Sequence, residues 1–412
     1  MKTIHTRAPL SPAWMLFILT GLNLFNYLDR YVLSGVLPLL QKDLGLNDGQ
    51  AGRLVTAFMI GYFITSPVFG WLGDRCSRKW LIAAGILMWS LGTILTGFAA
   101  TFAILVGFRA LVGVGEASYA TISPSLISDN YAPAKRNNAL TIFYTAIPVG
   151  AALGVLLGGF FVKHWDWRHA FIWVGAPGLL LALILLPFAD PQRGRAEGKT
   201  AEGAKRPSVR DIVNLFRIPE YRLVVLGYTA YTFALGAFAV WGPTFLHRAH
   251  GVALPRADFF FGVVLAVAGL GGTMLGGFAA TAWQKRNPAG YAWTLGLAVL
   301  VAVPLAFGAF LTNSTFWSMT FLAAAIFFLF LPSGPVNTLI LEIAPVNLRA
   351  SAMAVAIYMI HLFGDTWSPE IVGRLSIVCG GNLQKAGLIL PAALIVASAL
   401  WLLLAVRTMR KR

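Results

Sequence analysis

Charge is what this sequence has least of. Charged residues make up 12% of its 412 positions and hydrophobic residues 58%. That is about half the charged share of an ordinary soluble domain. So little polar surface excludes a soluble globular protein of this length and points to lipid as the solvent. Cysteine is scarce as well, with Cys76 and Cys379 alone. The topology below puts them on opposite sides of a membrane, which argues against a disulfide, and two thiols are too few for a metal site. The six histidines have no metal-ligand spacing. No cofactor or metal is expected. The sequence has no phosphate-binding loop for an ATP-driven pump, and no nucleophile–base pair or acid-rich metal set for a lipid-modifying enzyme. Gly113-Val114-Gly115 is no nucleotide motif, because no strand precedes it and it lies inside an apolar run. A symmetric pore would rarely place a buried set of two acids and two arginines in one half only.

Acidic residues are half as many as basic ones, 16 against 32, for a net charge of +16. The basic residues lie in short groups between long apolar runs rather than on one soluble face, which excludes nucleic acid as a partner. They gather outside the runs on the side that holds the N-terminus. The positive-inside rule then puts both termini in the cytoplasm of a cell (inner) membrane protein.

What the chain has in abundance is apolar runs of about 20 residues, the length that crosses ~30 Å of hydrocarbon. Twelve are found, at roughly 13–38, 50–72, 80–99, 101–125, 139–162, 168–188, 222–246, 258–283, 290–311, 316–341, 350–373 and 386–406. Lipid forces each to be a helix, since an isolated strand would leave backbone groups unsatisfied. The first run continues into Asp29-Arg30 without a small-residue cleavage site, so it is expected to be a span rather than a cleaved signal. The fold class expected is an all-α membrane protein of twelve transmembrane helices in two pseudo-symmetric six-helix bundles. The bundles are expected over 1–188 and 222–412. A cytoplasmic linker over 189–221 carries Arg193, Arg195, Lys199, Lys205, Arg206, Arg210 and Arg217. Within it, Ser208 to Phe216 reads either as a short interfacial helix with Ile212, Val213, Leu215 and Phe216 toward one side or as solvated linker with some helix.

The halves echo each other. Ala132-Pro133-Ala134-Lys135-Arg136 follows the fourth run and Ala344-Pro345-Val346-Asn347-Leu348-Arg349 the tenth, each with Pro at the turn and Arg at the next helix start. Such duplication implies a transporter with its substrate site where the two repeats meet.

The loop Gly70-Trp71-Leu72-Gly73-Asp74-Arg75-Cys76-Ser77-Arg78-Lys79 resembles the signature loop of the major facilitator superfamily, with Ser77 where glycine is more usual. The resemblance implies a gating latch built on Asp74, Arg75 and Arg78, with Arg136 beside them. Without it, Asp74 reads as a cap or counter-charge near a helix end. The corresponding loop of the second half, Trp283-Gln284-Lys285-Arg286, lacks the acid.

A narrower resemblance rests on four stretches. They are Asn26-Tyr27-Leu28-Asp29-Arg30-Tyr31, the run from Arg109 through Gly113-Val114-Gly115-Glu116 to Tyr119, Phe143-Tyr144-Thr145-Ala146-Ile147-Pro148-Val149-Gly150, and His361-Leu362-Phe363-Gly364-Asp365. These look like the spinster-like lipid transporters across nearly the whole chain. The family implies proton coupling at Glu116 or Asp29 and substrate contacts from Arg30, Arg109, Glu116, Asp29 and Tyr119. The cargo it implies is an amphiphile such as a lysolipid or a sphingoid phosphate. The protein is expected to be a monomer among membrane lipids, with protons as a second partner. The rival within transport is a multidrug or organic-anion carrier on the same scaffold.

The residues support a functional site on their own. An ionisable residue at mid-membrane is costly enough that function is its default meaning. Asp29, Arg30 and Arg109 lie about eight residues from the outer ends of their spans, roughly 12 Å deep at 1.5 Å per residue. Glu116 lies two turns further in, and a spacing of seven puts it on the same face as Arg109. Two acids and two bases sum to zero, as a buried set requires. A static salt-bridge cluster is the structural alternative. We expect Arg30 to move between Asp29 and an anionic headgroup while Glu116 titrates. Asp365 reads as a second gate or titrating site, or as a polar group satisfied by water or Arg374. The series Gly150, Gly154, Gly158 reads as close helix packing, and Trp165, Trp167 and Trp173 as an aromatic belt.

Overall fold

The computed structural model describes residues 11–46, 48–185, 190, 192–197 and 208–410. The described residues are helical almost throughout, with no strand among them. The linker residues Lys199, Lys205 and Arg206, the boundary at 188/189 and the last two residues lie outside this set.

Residues 1–212 with 344–357 form one compact unit. Its helices are α1 (Pro12–Leu44), α2 (Asp48–Gly73), α3 (Arg78–Thr96), α4 (Phe102–Asn130), α5 (Pro133–His164) and α6 (Trp167–Leu185). Ser11 caps α1 by accepting the Trp14 N–H, and Pro12 occupies the first helical position, where a missing donor costs nothing. Gly45 ends α1 at φ 62, a left-handed turn open to glycine at no steric cost. Thr101 accepts the Ile104 N–H at the start of α4.

Residues 213–343 with 358–412 form the other unit. After the short α7 (Val209–Asn214) come α8 (Pro219–His250), α9 (Leu254–Gln284), α10 (Gly290–Leu311), α11 (Thr315–Phe330) and α12 (Ser333–Ile343). Then follow α13 (Arg349–Ile360), whose residues 349–357 belong to the first unit, α14 (Ser368–Val378), α15 (Leu383–Gly387) and α16 (Ile389–Arg410). The tenth apolar run is broken at Leu331-Pro332 into α11 and α12. The eleventh contains a π-helical turn at His361–Asp365 between α13 and α14.

Among the described residues ten helical stretches are long and apolar enough to cross a membrane. Two of the twelve runs read from the sequence, at α1 and α6, fall outside that ten. In α1 the cause is polarity: Asn23, Asn26, Asp29 and Arg30 sit within it. The described part of α6 stops where residues 186–189 begin. Outward-facing side chains of the long helices are apolar, with Phe259 74% and Val267 70% exposed, as lipid-facing surfaces require.

Of the three tryptophans read as an aromatic belt, one does not face outward. Trp165 and Trp173 are exposed, but Trp167 is buried, its indole N–H donating to Asp43 at 3.0 Å. Arg168 covers its ring at 4.1 Å. An indole with a carboxylate partner and a cation over its face has no need of the lipid interface. In the linker, Leu215 is buried and Phe216 meets Tyr221 edge-on, whereas Val209 and Val213 are exposed on successive turns.

Candidate functional site

Glycine decides how the charged helix α4 is seated. A Cβ on Gly113 would stand 3.0 Å from the Phe58 carbonyl carbon and the Tyr62 nitrogen of α2. One on Gly115 would stand 2.6 Å from the Gly85 oxygen and the Trp89 nitrogen of α3. The two glycines thus let α4 sit in backbone contact with α2 on one side and α3 on the other. On the far side, α1 and α5 close together along the glycine series. Cβ atoms at 150, 154 and 158 would meet Leu24 O at 2.6 Å, Leu28 O at 2.5 Å and Val32 O at 2.8 Å. The charged residues of α1 and α4 are held in place by this packing.

Asp29, Arg109 and Glu116 are all buried, and the Arg30 side chain retains 14% exposure. Arg30 donates to Glu116 Oε2 from Nη2 at 2.6 Å and from Nε at 3.1 Å. The two-turn offset counted from the sequence closes because side chains lean toward the N-terminus of their own helix. Helices α1 and α4 run in opposite directions, so Arg30 and Glu116 lean toward each other. Asp29 has a different partner: the Thr93 hydroxyl lies 2.7 Å from Oδ1 and 2.6 Å from Oδ2. The Arg30 guanidinium is surrounded by rings, 4.8 Å from Tyr27, 4.8 Å from Phe58 and 5.0 Å from Tyr62. Arg109 lies 5.0 Å from the same Phe58 ring, so the two cations share one aromatic. Nε and Nη1 of Arg109 are buried without an acceptor.

Tyr119 is tied elsewhere. Its hydroxyl donates to the Leu19 carbonyl, and its ring packs edge-on against Trp89 at 5.5 Å. Thr93, Phe58 and Tyr62, which complete the cluster, escaped the sequence reading. The glycines facing α2 were the available signal for the two aromatics.

A second charged cluster gathers at the turn between α2 and α3. Asp74 accepts the Ala350 N–H at 3.0 Å and the Ser351 N–H at 2.8 Å, which places a carboxylate on the N-terminus of α13. Burial pushes the Asp74 carboxyl up to about 6, against the pull of these bonds and of Arg193. Arg78 pairs with Asp129, and Arg349 donates to the same carboxylate at 3.0 Å. Arg75 lies 3.9 Å over the Trp71 ring. Arg136 donates to the Ser128 carbonyl at 3.2 and 3.3 Å. Asp129, Asp190, Arg193 and Arg349 belong to this cluster and were not predicted as site residues. They are spread over 220 positions, and no local spacing links them.

In the second unit Asp365 meets His361 across the π-helical turn, with Nδ1 2.9 Å from Oδ1. Arg374, weighed above as its partner, pairs instead with Glu370 one turn away at 2.5 Å. A small apolar crevice in the same unit is lined by Phe238, Trp241, Phe245 and Phe310 among others.

Apolar helices of spanning length around a buried, charge-balanced site define a membrane transporter. The Major Facilitator Superfamily model matches residues 19–368. Protein spinster of Drosophila melanogaster is 36% identical over 381 residues, covering 89% of this chain and 62% of that protein. Spinster homolog 3 of Danio rerio is 35% identical, covering 87% of this chain and 76% of that one. Human spinster homolog 1 is 33% identical over 405 residues, covering 91% and 75%. A crystal structure of a bacterial homologue of the human lysosomal transporter Spinster, inward-facing and unoccupied, aligns with a TM-score of 0.69. It is 25% identical and covers 97% of this chain and 98% of that one. The chain belongs to the major facilitator superfamily and, within it, to the spinster proteins. It is a multi-pass membrane transporter and not an enzyme.

Proposed function

We propose that this protein is a secondary transporter of anionic amphiphiles of the lysophospholipid or sphingosine-phosphate kind, coupled to protons and working by alternating access. The observation that carries the reading is Arg109: a buried guanidinium with two donor nitrogens lacking acceptors, beside a second cation and two carboxylates. A buried donor without a partner costs about 1–3 kcal/mol or more when charged. A phosphate oxygen would recover that cost, and a planar fork of donors suits phosphate. Arg30 and Arg109 take the headgroup, and Asp29 and Glu116 exchange the proton. Tyr119 supports this wall through its bond to α1. The name of the fucose:proton symporter, 17% identical with a TM-score of 0.76, adds only that the fold is compatible with proton coupling.

The remaining roles follow in the same reading. Asp74, Arg75, Arg78 and Arg136 form a gate at the α2–α3 turn, and Asp365 forms a second one with His361. In the same reading the chain has twelve spans in two related halves, 1–188 and 222–412, with both termini in the cytoplasm of a cell (inner) membrane, and works as a monomer. The deciding experiment is uptake of labelled lysolipid into proteoliposomes, with and without a pH gradient. The reading expects gradient-dependent flux that Arg109→Ala abolishes. Flux indifferent to the gradient would remove proton coupling, and no lysolipid flux at all would remove the substrate class.

A further inference from the structure

A linker joining two helical bundles needs only length, and a basic one is ordinarily left in water. The first residues of this linker do something else. The side chain of Arg193 reaches back to the end of α2 and the turn beyond it, where Nη2 donates to the carbonyl of Gly73, the last residue of α2, and to that of Cys76 in the turn, at 2.8 Å each. Carbonyls in the last turn of a helix have no intrahelical donor, so a cation there meets both an orphan acceptor and the negative end of the helix dipole. Asp190 does the converse for α3. Its Oδ2 accepts the Arg78 N–H at 2.7 Å, while Ser77, the residue in the cap position, makes no side-chain cap bond. Asp190 Oδ1 also lies 3.4 Å from Arg78 Nε.

The third grip is by backbone. Gly194, at φ 71, turns its N–H onto Asp129 Oδ1 at 2.9 Å. That is the oxygen to which Arg349, the first residue of α13, donates at 3.0 Å. One carboxylate oxygen therefore holds the linker and α13 together. Next to Gly73, Asp74 holds the following two amides of α13.

We infer that Asp190, Arg193 and Gly194 form a strap of the latch, positioning the 73–78 turn and Asp129 so that both keep hold of the N-terminus of α13. The linker then controls how readily residues 349–353 come free. The latch is thus built from the α2–α3 turn, Asp129 of α4, the strap and α13, and the strap is the part whose loss leaves the other three intact in sequence.

The test is amide hydrogen exchange of the full-length protein in nanodiscs, read by mass spectrometry. Arg193→Ala and Asp190→Asn should each speed exchange in peptides covering 349–353 by about tenfold, the loss expected for one or two charge-assisted bonds. Peptides from α10 should exchange at the wild-type rate, which certifies the fold. Asp190→Asn keeps size and one acceptor, so it reads out the strap even if Arg193→Ala fails to fold. Unchanged protection of 349–353 in either folded variant overturns the inference, whatever happens to thermal stability, and leaves these residues as local caps of α2 and α3. The readout follows the latch and not the cargo, so it stands or falls separately from the lysolipid reading.

Discussion

Arg30 places two nitrogens on one oxygen of Glu116, across two helices and 86 positions of sequence. Neither residue could be buried alone. Removing one partner of a buried pair typically costs about 3–5 kcal/mol because the other charge is left unpaired, whereas replacing both by apolar side chains is often neutral. Glu116→Leu should therefore lower the thermal midpoint by several degrees, and the double variant Arg30→Met/Glu116→Leu should recover most of that loss. Transport should be absent in both. Tryptophan fluorescence on heating and proteoliposome flux measure the two quantities. A double variant that recovers stability and still transports would show that the pair is only structural.

Asp74 makes the latch sensitive to pH in a direction opposite to the one its hydrogen bonds suggest. Its carboxyl titrates near 6 in the buried latch against 3.8 in water. The closed latch thus binds the proton more tightly than an opened one, and protonation favours closure. A shift of about two units is worth roughly 3 kcal/mol at most, fully present below pH ~4 and lost as the pH rises through ~6. Exchange of the Ala350 and Ser351 amides, corrected for intrinsic pH dependence, should slow as pH falls across that window. In Asp74→Asn the dependence should vanish. A wild-type profile flat between 4 and 7 would refute the assignment.

The glycines of α4 offer a paired test of how the site is held. A Cβ at Gly113 collides with the α2 backbone at Phe58, while one at Gly107 meets nothing within 4 Å. Alanine gains up to about 1 kcal/mol over glycine inside a helix. Gly107→Ala should therefore be neutral or stabilising. Gly113→Ala should lower the thermal midpoint and reduce flux, because α4 must move off Phe58 and carry Arg109 with it. Equal midpoints for the two variants would mean that the close approach does not position the site.

The spanning helices, the glycine series along α1 and α5, and the four buried charges were legible because each is a local departure from a simple expectation. Long apolar runs, small residues at every fourth position and ions in lipid all announce themselves in sequence. Depth counting nevertheless put Glu116 two turns from Arg30, since it counted backbone positions and not the lean of the side chains. Trp167 was read as a belt residue because its partner Asp43 lies 124 positions away. The strap was illegible for the same reason: Arg193 looked like one more basic linker residue until the carbonyls of Gly73 and Cys76 were placed beneath it.

The π-helical turn in the second unit carries the last prediction. A π-turn inserts a residue into a helix at the expense of regular bonding and is found most often at functional positions. Here it brings His361, which is buried, against Asp365, and α8 presses on the pair from outside: a Cβ at Gly236 would stand 2.8 Å from Asp365 Cα. Two variants disturb the pair by independent means. Asp365→Asn removes its charge and keeps its shape, while Gly236→Ala displaces it and keeps its charge. If the pair forms a gate, both should lower turnover by about tenfold, equivalent to some 1.4 kcal/mol on the barrier, with ligand affinity in the N-terminal site within about twofold. Flux assays with a binding titration on the same preparation separate the two effects. Turnover lost in Gly236→Ala alone would assign the role to backbone packing at the turn, and affinity lost in both would move Asp365 into the binding site itself.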